Sequence, residues 1–451
     1  MSCRFLWFCL AAGVAASLVL CFRISTQSFF VGSDDGGWVY PYFWPFAAHS
    51  LAVFGWTCII LFALFTLPRR LIDRQEWVVV AAWLLVGLVA QALVRRLTHF
   101  TFEQMFVSDG ANSFYSPTKQ YSTAMLLTDF DRLRSSLPLH AQSNMPGKLI
   151  LVSLVRHLSD RPAIMAWIVV LISNLGGVPL YLFVRDLFDD RRTALFSLIL
   201  YLFVPGKLYF FPLLNTVTPV PVLVGAYLLQ RWLLVQKAIF PALLGVTLYA
   251  IAYFDPLPLV LGLLFAMLIA RAWIDGRLAI KTVLLQGSSG LVTFAATYVL
   301  FLAVFRFDLL ATFRHSQAEA AIFNASTHRP YGIWVQANIV EFFFAIGVCQ
   351  ALIFCCVFVD AVRSAARSIR ALSIPIVALS LGLGGVLLAI DLSGVNRGEV
   401  TRLWIFLACF FQIPAAYICA RLQSRTAVML ILGPTLLQDV LATSMIAFVL
   451  P

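Results

Sequence analysis

Stretches of about 20 apolar residues recur along this 451-residue chain and constrain its fold more than any other feature. A stretch of that length can cross a lipid bilayer as an α-helix, whereas an open sheet would leave backbone N–H and C=O groups without partners in lipid. The sequence therefore predicts an all-α fold, a polytopic transmembrane helical bundle that forms a single domain over residues 1–451. We expect about thirteen spans, at residues 5–23, 47–67, 77–94, 162–184, 193–211, 218–235, 239–254, 256–273, 282–305, 339–359, 373–390, 403–420 and 427–449.

The composition favours this class and excludes others. Hydrophobic residues make up 61% of the chain and charged residues only 12%, which is far from the balance of a soluble domain. The net charge of +11 has a simpler source than nucleic-acid binding, because short basic loops on the cytoplasmic side face anionic lipid. Nearly all of the nine cysteines fall within apolar runs, so their spacing shows neither a disulfide framework nor a zinc site.

The distribution of basic residues predicts the orientation. With the N-terminus in the cytoplasm, about half of the basic residues fall in short inner loops, as the positive-inside rule requires. The C-terminus then lies outside the cell membrane, or outside the endoplasmic reticulum membrane in a eukaryote. All six histidines and most acidic residues fall at or beyond the outer boundary. Residues 5–23 are expected to be a retained signal anchor rather than a cleaved signal peptide.

The longest polar segment, residues 95–161, is expected to be an extracytoplasmic loop that carries the functional site. Ser116 and Pro117 have the pattern of an N-cap and a first helical residue. Apolar residues then repeat at helical spacing, at Leu126, Phe130, Leu133 and Leu137. This pattern predicts a helix that lies on the outer membrane surface with its apolar face towards lipid, and residues 149–158 predict a second interfacial helix.

Asp109 is the candidate catalytic residue in this loop. It follows a predicted span and precedes aromatic residues, among them Tyr115. A carboxylate at the membrane edge can take a proton from an acceptor hydroxyl as a general base. The alternative is a solvated aspartate beside the turn residue Gly110. Asp34 and Asp35, in the loop after the first span, compete for the same role.

The end of the loop brings His140, Asn144 and Lys148 close together in sequence, just before an apolar segment. A titratable ring, a turn and a cation in this position can hold a phosphate group at the level of the lipid headgroups. The alternative is a loop-to-helix junction at which Lys148 extends its amine to the water interface.

Arg397 and Arg402 lie at the predicted outer boundary, where the positive-inside rule does not explain them. Guanidinium groups match the geometry of phosphate, so both arginines are candidate ligands of a donor phosphate. Glu399 lies three residues before Arg402 and can pair with it on a helix, so a structural ion pair is the alternative. The aromatic residues of 329–334 are expected to anchor this side of the protein at the interface.

Asp129 and Asp131 form an Asp-x-Asp pair of the kind that holds a metal in soluble nucleotide-sugar enzymes. Residues two apart on a helix do not face each other, and Arg132 and Arg134 adjoin the pair. A solvated surface is therefore the favoured interpretation. We expect no cofactor, and the sequence neither indicates nor excludes a divalent metal.

These residues resemble the motifs of the GT-C-fold glycosyltransferases, polytopic enzymes that use lipid-linked sugars, and in particular the protein O-mannosyltransferase and aminoarabinose transferase group. The order of Ser108-Asp109, the aromatic pair at 114–115 and the segment 140–147 is similar to that of the group's outer loops. The sequence RGEVTRLW at 397–404 is similar to a late outer motif of bacterial members. Two departures stand out, since two extra spans precede the acidic loop and Asn-Met-Pro-Gly replaces the usual His-Pro-Pro pattern.

The resemblance implies an inverting transfer of a sugar from a polyprenyl- or dolichyl-phosphate donor to a lipid, glycan or protein acceptor on the extracytoplasmic face. It implies that Asp109 is the base, that His140 orients a phosphate or hydroxyl, and that Lys148, Arg397 and Arg402 offset the charge of the leaving phosphate. The supporting positions are Asp34, Asp35, Tyr115, Asn144 and Glu399.

Two other functions stay open at this stage. A glycolipid transporter or flippase is the main alternative, but it would place ionisable groups near the middle of the membrane, where this sequence has few. A non-catalytic membrane protein is the third, and it leaves the one-sided distribution of acidic residues and histidines unexplained. Membrane lipids are expected partners in every case, and nucleic acid is not.

Overall fold

Helices form most of the regular structure in the computed structural model, which describes residues 3–66 and 75–451. In chain order they are α1 (Cys3–Ser25), α2 (His49–Phe65), α3 (Glu76–Arg95), α4 (Phe102–Val107), α5 (Tyr115–Gln120), α6 (Thr123–Thr128), α7 (Phe130–Leu133), α8 (Leu139–Ser143), α9 (Gly147–Leu158), α10 (Pro162–Leu175), α11 (Gly177–Phe188), α12 (Arg191–Leu202), α13 (Pro205–Phe210), α14 (Pro219–Val235), α15 (Ile239–Phe254), α16 (Gly262–Ile274), α17 (Ile280–Phe305), α18 (Leu309–Ser326), α19 (Tyr331–Ile346), α20 (Val348–Arg367), α21 (Pro375–Leu392), α22 (Val400–Leu403), α23 (Ile405–Ala408), α24 (Gln412–Arg421) and α25 (Arg425–Met445). Short 3-10 helices cover Arg134–Ser136, Leu214–Thr216, Leu257–Leu261 and Ile369–Ser373.

Ten helical segments in the described part of the chain are long and apolar enough to cross a membrane. Four shorter apolar helices accompany them, at His49–Phe65, Ile239–Phe254, Tyr331–Ile346 and Ile405–Arg421. The expected number of thirteen spans is therefore not established. The predicted span 47–67 also ends at a residue outside the described part of the chain.

The predicted continuous span 339–359 is wrong, because the helix breaks at Gly347 between α19 and α20. Gly347 has φ +92°, and a Cβ placed on it would lie 2.5 Å from the side-chain oxygen of Gln350. Only glycine adopts this backbone conformation at low cost. One apolar stretch thus becomes two helices, and the first of them supplies two of the polar residues described below.

Burial separates the centre of the bundle from its edge. Residues 193–210, which hold most of α12 and all of α13, are buried, whereas α17 has no buried residue and packs mainly on α15. The N-terminal helix α1 packs against α20 and α25. The helix α17 is apolar, yet none of its residues is fully buried by other parts of the protein. In water this large hydrophobic surface would be exposed, so the helix is suited to a lipid environment.

The all-α prediction misses a small antiparallel sheet in the loop between α1 and α2. Strand β1 (Val31–Ser33) pairs with β2 (Trp38–Tyr40), and the sequence Asp-Asp-Gly-Gly at 34–37 forms the turn between them. Gly37 adopts φ +76°, a conformation that glycine permits. The hairpin places Asp34 and Asp35 at its exposed tip.

The single surface helix predicted after Ser116 is also wrong. Phe114 is the N-cap of α5, the chain becomes extended at Tyr121, and the side chain of Ser122 caps a new helix by accepting a hydrogen bond from the Met125 N–H. The apolar residues of this region pack inward against protein, and Leu126 and Phe130 are buried. The cap at Ser122 thus starts a new helix, although the apolar repeat favours one continuous helix. The second predicted helix is present as α9, and its interfacial position stays a prediction.

The predicted orientation can be tested by cysteine labelling. Ser135 lies in the 95–161 loop and Ser364 lies in the last turn of α20, so the topology places them on opposite sides of the membrane. We expect Ser135→Cys to react with an impermeant maleimide from outside and Ser364→Cys only after permeabilisation, each above the background of the parent protein. Labelling of both positions from one side would contradict the orientation.

Candidate active site

A cavity of about 400 Å³ lies where four segments of the chain meet, namely residues 139–148, 255–257, 316–329 and 395–403. Six side chains predicted from the sequence line it, which are His140, Asn144, Lys148, Arg397, Glu399 and Arg402. The structure therefore brings together two motifs that lie about 250 residues apart in sequence. Asp255, Glu319 and Arg329 also line the cavity, and the sequence analysis did not place them at the site.

Two buried polar residues of α19 fix the segment 393–403 by hydrogen bonds to its backbone. The Asn338 amide donates to the Asn396 carbonyl at 3.0 Å and accepts from the Gly398 N–H at 3.0 Å. The Glu341 carboxylate accepts from the Val400 N–H at 2.9 Å. Gly398 has φ +84°, and a Cβ there would lie 2.7 Å from the Trp334 ring. The RGEV sequence therefore forms a fixed turn that presents Arg397 and Glu399 to the cavity.

Glu399 bridges two arginines. Its carboxylate lies 2.6 Å from an Nη atom of Arg402 and 3.0 Å from an Nη atom of Arg329. Burial alone would raise the pKa of Glu399, but the two guanidinium groups outweigh burial and lower it. The predicted pair of Glu399 and Arg402 is confirmed. Arg329 is 4% exposed and belongs to this cluster rather than to an interfacial anchor. In the sequence, the only indication of this role was that a basic residue precedes the aromatic residues of 329–334.

Arg397 differs from these neighbours, since no carboxylate pairs with it among residues 3–66 and 75–451. Its Nη1 donates to the Arg329 carbonyl at 2.9 Å, and its Nε donates to the Gly394 carbonyl at 3.3 Å. The guanidinium also lies 5.7 Å from the centre of the Tyr331 ring. These contacts orient the side chain and leave its positive charge uncompensated by a neighbouring anion.

Lys148 is buried rather than extended to the water interface. It is 3% exposed, and its Nζ lies 2.9 Å from the Asp255 carboxylate. It also donates to the Asn144 side-chain oxygen at 3.2 Å, and the Asn144 amide donates to the His140 carbonyl at 2.9 Å. Lys148 is thus not a free cation, and removal of either partner would leave a desolvated charge. An aspartate directly after the apolar run of α15 was a readable signal that the sequence analysis missed.

His140 lies against the segment that carries Asp109. Its Nε2 is 3.1 Å from the Gly110 carbonyl, and its backbone N–H donates to Ser113 at 3.3 Å. Burial, reinforced by the nearby charge of Arg402, lowers the pKa of His140 to about 4. The ring is therefore neutral near pH 7, and its Nε2–H donates to the carbonyl. In this state His140 can orient a ligand but cannot add positive charge.

The lowered pKa predicts a pH effect on stability. Between pH 6.5 and about 4 the unfolded chain binds a proton at His140 that the folded protein does not, so the free energy of unfolding falls as the pH falls through that window. We expect His140→Gln to lose less thermal stability than the parent when the pH is lowered from 7 to 4.5. An unchanged pH dependence of the melting temperature would contradict this assignment.

Four predicted residues lie outside the cavity lining, and these are Asp34, Asp35, Asp109 and Tyr115. Asp109 is exposed, and its carboxylate accepts a hydrogen bond from the Ser116 hydroxyl. The carbonyl of its neighbour Gly110 contacts His140, which places Asp109 one residue from the cavity wall. Tyr115 is buried against Phe106 and beneath Lys119, so its contacts are structural.

The hairpin that carries Asp34 and Asp35 contacts one cavity residue, Arg329. The hairpin turn is fixed by the Trp334 indole N–H, which donates to the Gly36 carbonyl at 3.0 Å, and the Trp38 ring lies 5.2 Å from the guanidinium of Arg329. Within the described part of the chain neither carboxylate has a side-chain partner. The segments that carry both candidate bases therefore contact cavity residues, through Gly110 at His140 and through Trp38 at Arg329.

The Asp-x-Asp pair does not form a joint site. Asp129 pairs with Arg132 at 2.8 Å, and Asp131 accepts from the Thr312 hydroxyl at 3.2 Å. The described residues contain no group of three or more His, Cys, Asp or Glu side chains that could hold a metal ion. The expectation that the protein needs no cofactor stays a prediction.

Fold and site together define a multi-pass helical membrane protein with a charged cavity at one end of its bundle. No family model matches the chain, and no curated protein matches it. Two solved structures share part of its chain trace. The oligosaccharyltransferase of Archaeoglobus fulgidus in the apo form has 12% sequence identity and a TM-score of 0.43, over 80% of this chain and 56% of that chain.

The second is AglB, the archaeal oligosaccharyltransferase from Archaeoglobus fulgidus, in complex with an inhibitory peptide and a dolichol-phosphate. It has 14% identity and a TM-score of 0.40, again over 80% of this chain and 56% of that chain. The present chain thus spans little more than half the length of either archaeal protein.

Proposed function

We propose that this protein is a GT-C-like membrane glycosyltransferase that moves a sugar from a polyprenyl- or dolichyl-phosphate donor to an acceptor on the extracytoplasmic face. The observation that carries the proposal is the cavity in which Lys148, Arg329, Arg397 and Arg402 converge. These four cations share the space of about 400 Å³ with three carboxylates, those of Asp255, Glu319 and Glu399. Arg397, which no described carboxylate pairs with, gives the cavity the excess positive charge that suits a phosphate ligand. The resemblance at 108–148 and 397–404 supports the same chemistry.

The rim of the cavity suits a donor that carries a lipid chain. Leu139, Ile322 and Phe323 line it and are exposed, and the adjacent segment 255–257 leads into a helix long and apolar enough to span a membrane. A polyprenyl chain could lie along this apolar rim while its phosphate enters the charged interior. Transfer of the lipid chain from water to such a surface is favourable in proportion to the apolar area covered.

The proposed reaction is a single inverting displacement. A carboxylate base, which we assign to Asp109, takes the proton of an acceptor hydroxyl as the hydroxyl oxygen attacks the anomeric carbon. The bond between that carbon and the phosphate oxygen breaks, and the electron pair leaves with the phosphate. Arg397 and Arg402 would stabilise the charge that develops on the leaving group, with Lys148 held beside them by Asp255. Neutral His140 would orient the phosphate or the hydroxyl.

Transport of a glycolipid is the second candidate function. Lys207 and Asp439 are fully buried within membrane-length helices, and buried ionisable groups in such helices often mark transport pathways. Neither of them lines the charged cavity, which favours the enzyme.

The two functions can be separated by one experiment on the full chain in proteoliposomes. A panel of polyprenyl-phosphate sugars labelled in the sugar is offered together with extracted membrane lipids and glycans. The enzyme hypothesis predicts release of free polyprenyl phosphate and transfer of label to an acceptor. Movement of intact donor across the bilayer without cleavage would support the transporter and contradict the transferase.

A further inference from the structure

A second large cavity lies at the opposite end of the bundle. It has a volume of about 900 Å³ and is lined by Leu234 and by residues from three segments, 185–192, 271–277 and 373–375. The helix α21 begins at this cavity with Pro375 and ends just before Val395 of the candidate active site. Its 18 residues span about 27 Å at 1.5 Å per residue. The two cavities therefore open on opposite faces of the membrane.

A buried arginine faces this second cavity. Arg271 lies in the last turn of α16 and is 7% exposed. Its Nε donates to the Ser373 carbonyl at 3.1 Å, and the part of the chain that the structure describes supplies no carboxylate to it. A desolvated guanidinium is costly without an anion beside it, and the cavity leaves space for one.

The N-terminus of α21 lies at the same place. Ser373, which accepts the hydrogen bond from Arg271, immediately precedes the N-cap Ile374, and no side chain caps this helix. This helix begins with Pro375, which has no N–H, and the N–H groups of Ile374 and Val377 donate to the carbonyls of Ala371 and Ile374. This end therefore contributes the positive end of the helix dipole rather than a row of free N–H donors. A guanidinium beside such a helix end is a favourable arrangement for an anion.

The carboxylates around the cavity are mostly engaged elsewhere. Asp186 pairs with Arg185 and Arg231, Asp275 pairs with Arg277, and Asp190 caps α12. The remaining one, Asp189, is exposed in a left-handed turn. Asp275 acts favourably on Arg271 through its charge, but its direct partner is Arg277, so no described carboxylate forms a salt bridge with Arg271. The exposed Arg192 lines the same cavity and has no carboxylate partner among the described residues.

We propose that this second cavity binds a phosphate group, held by Arg271 beside the positive end of the α21 dipole, with Arg192 at the entrance. A phospholipid headgroup and a soluble phosphate ester share this chemistry. The proposal is independent of the glycosyl transfer above, because it concerns the opposite face of the protein. Charge-assisted hydrogen bonds of this kind are the strong class.

The test uses the full chain in an uncharged detergent, titrated separately with dihexanoyl phosphatidic acid and with inorganic phosphate. We expect saturable binding that Arg271→Gln weakens about 10-fold or more. The matched control is Arg367→Gln, which removes an exposed arginine of α20 that does not line the cavity, and it should leave the affinity unchanged. Saturation by the lipid alone identifies a headgroup site, and saturation by phosphate identifies a soluble ligand.

A second variant keeps the proposal falsifiable if Arg271→Gln fails to fold. Arg192 is exposed, so Arg192→Gln should fold normally and weaken binding about threefold to 10-fold. Absence of saturable binding by either probe would overturn the proposal. Affinities that neither variant changes, in a properly folded protein, would overturn it as well.

Discussion

Replacement of Asp109 by asparagine is expected to lower turnover by about 100-fold or more, because a general base contributes on the order of 10²–10⁴-fold to rate. Asparagine keeps the size of the side chain and retains an oxygen that can accept the hydrogen bond from Ser116. It cannot accept the proton of an acceptor hydroxyl. The loss should therefore appear in turnover, while donor binding and folding persist.

The control for this experiment is Asp131→Asn. Asp131 is an exposed carboxylate of the same loop that accepts a hydrogen bond from Thr312 and lies outside the cavity lining. Its replacement should leave turnover within about twofold of the parent, because it has no assigned role in the proton transfer. Equal losses in both variants would indicate a general effect of the loop rather than a base.

Asp34 and Asp35 provide the decisive comparison. Both are exposed at the tip of a hairpin whose Trp38 ring contacts Arg329 of the cavity, so they are the rival candidates for the base. We expect Asp34→Asn and Asp35→Asn to reduce turnover less than Asp109→Asn. Full activity in Asp109→Asn together with complete loss in one of the hairpin variants would transfer the catalytic role to the first outer loop.

The second large effect is expected at Arg397, whose replacement by alanine should weaken donor binding about 10- to 100-fold. A hydrogen bond to a charged group contributes roughly 1.5–3 kcal/mol, and 1.4 kcal/mol corresponds to a factor of ten in affinity. No described carboxylate neutralises the Arg397 guanidinium. A phosphate in the cavity would therefore interact more favourably with Arg397 than with the cations that are already paired. The affinity for polyprenyl phosphate can be measured on the purified chain.

Arg161→Gln is the matched control, because Arg161 is exposed and lies outside the cavity. Arg402→Ala should also weaken the donor with little effect on acceptor affinity, although Glu399 already pairs with Arg402. The double variant Glu399→Gln/Arg402→Gln separates the two interpretations. If it is active and binds donor normally, the pair is structural and Arg402 does not contact the donor.

The sequence alone determined the helical membrane class and six residues of the cavity. Apolar runs fix transmembrane helices because lipid offers the backbone no hydrogen-bond partners, and this holds whatever the helices pack against. The motifs around His140 and Arg397 were recognisable because they place titratable and basic residues beside apolar segments, at positions that the positive-inside rule does not explain. The short spacing from Glu399 to Arg402 sufficed to predict their ion pair.

Only the tertiary structure decided which charges are compensated. Lys148 meets Asp255, and Glu399 meets Arg329, across 107 and 70 residues of sequence, and no local periodicity encodes such contacts. The structure also placed Asp109 beside the cavity rather than in its lining. The helix break at Gly347 depended on a backbone conformation that favours glycine, and the break at Ser122 depended on a side-chain cap. The free energies of such local effects are similar to those that favour a continuous apolar helix. Long-range packing therefore decided the electrostatics of the site, whereas local hydrophobicity had already decided its position at the membrane edge.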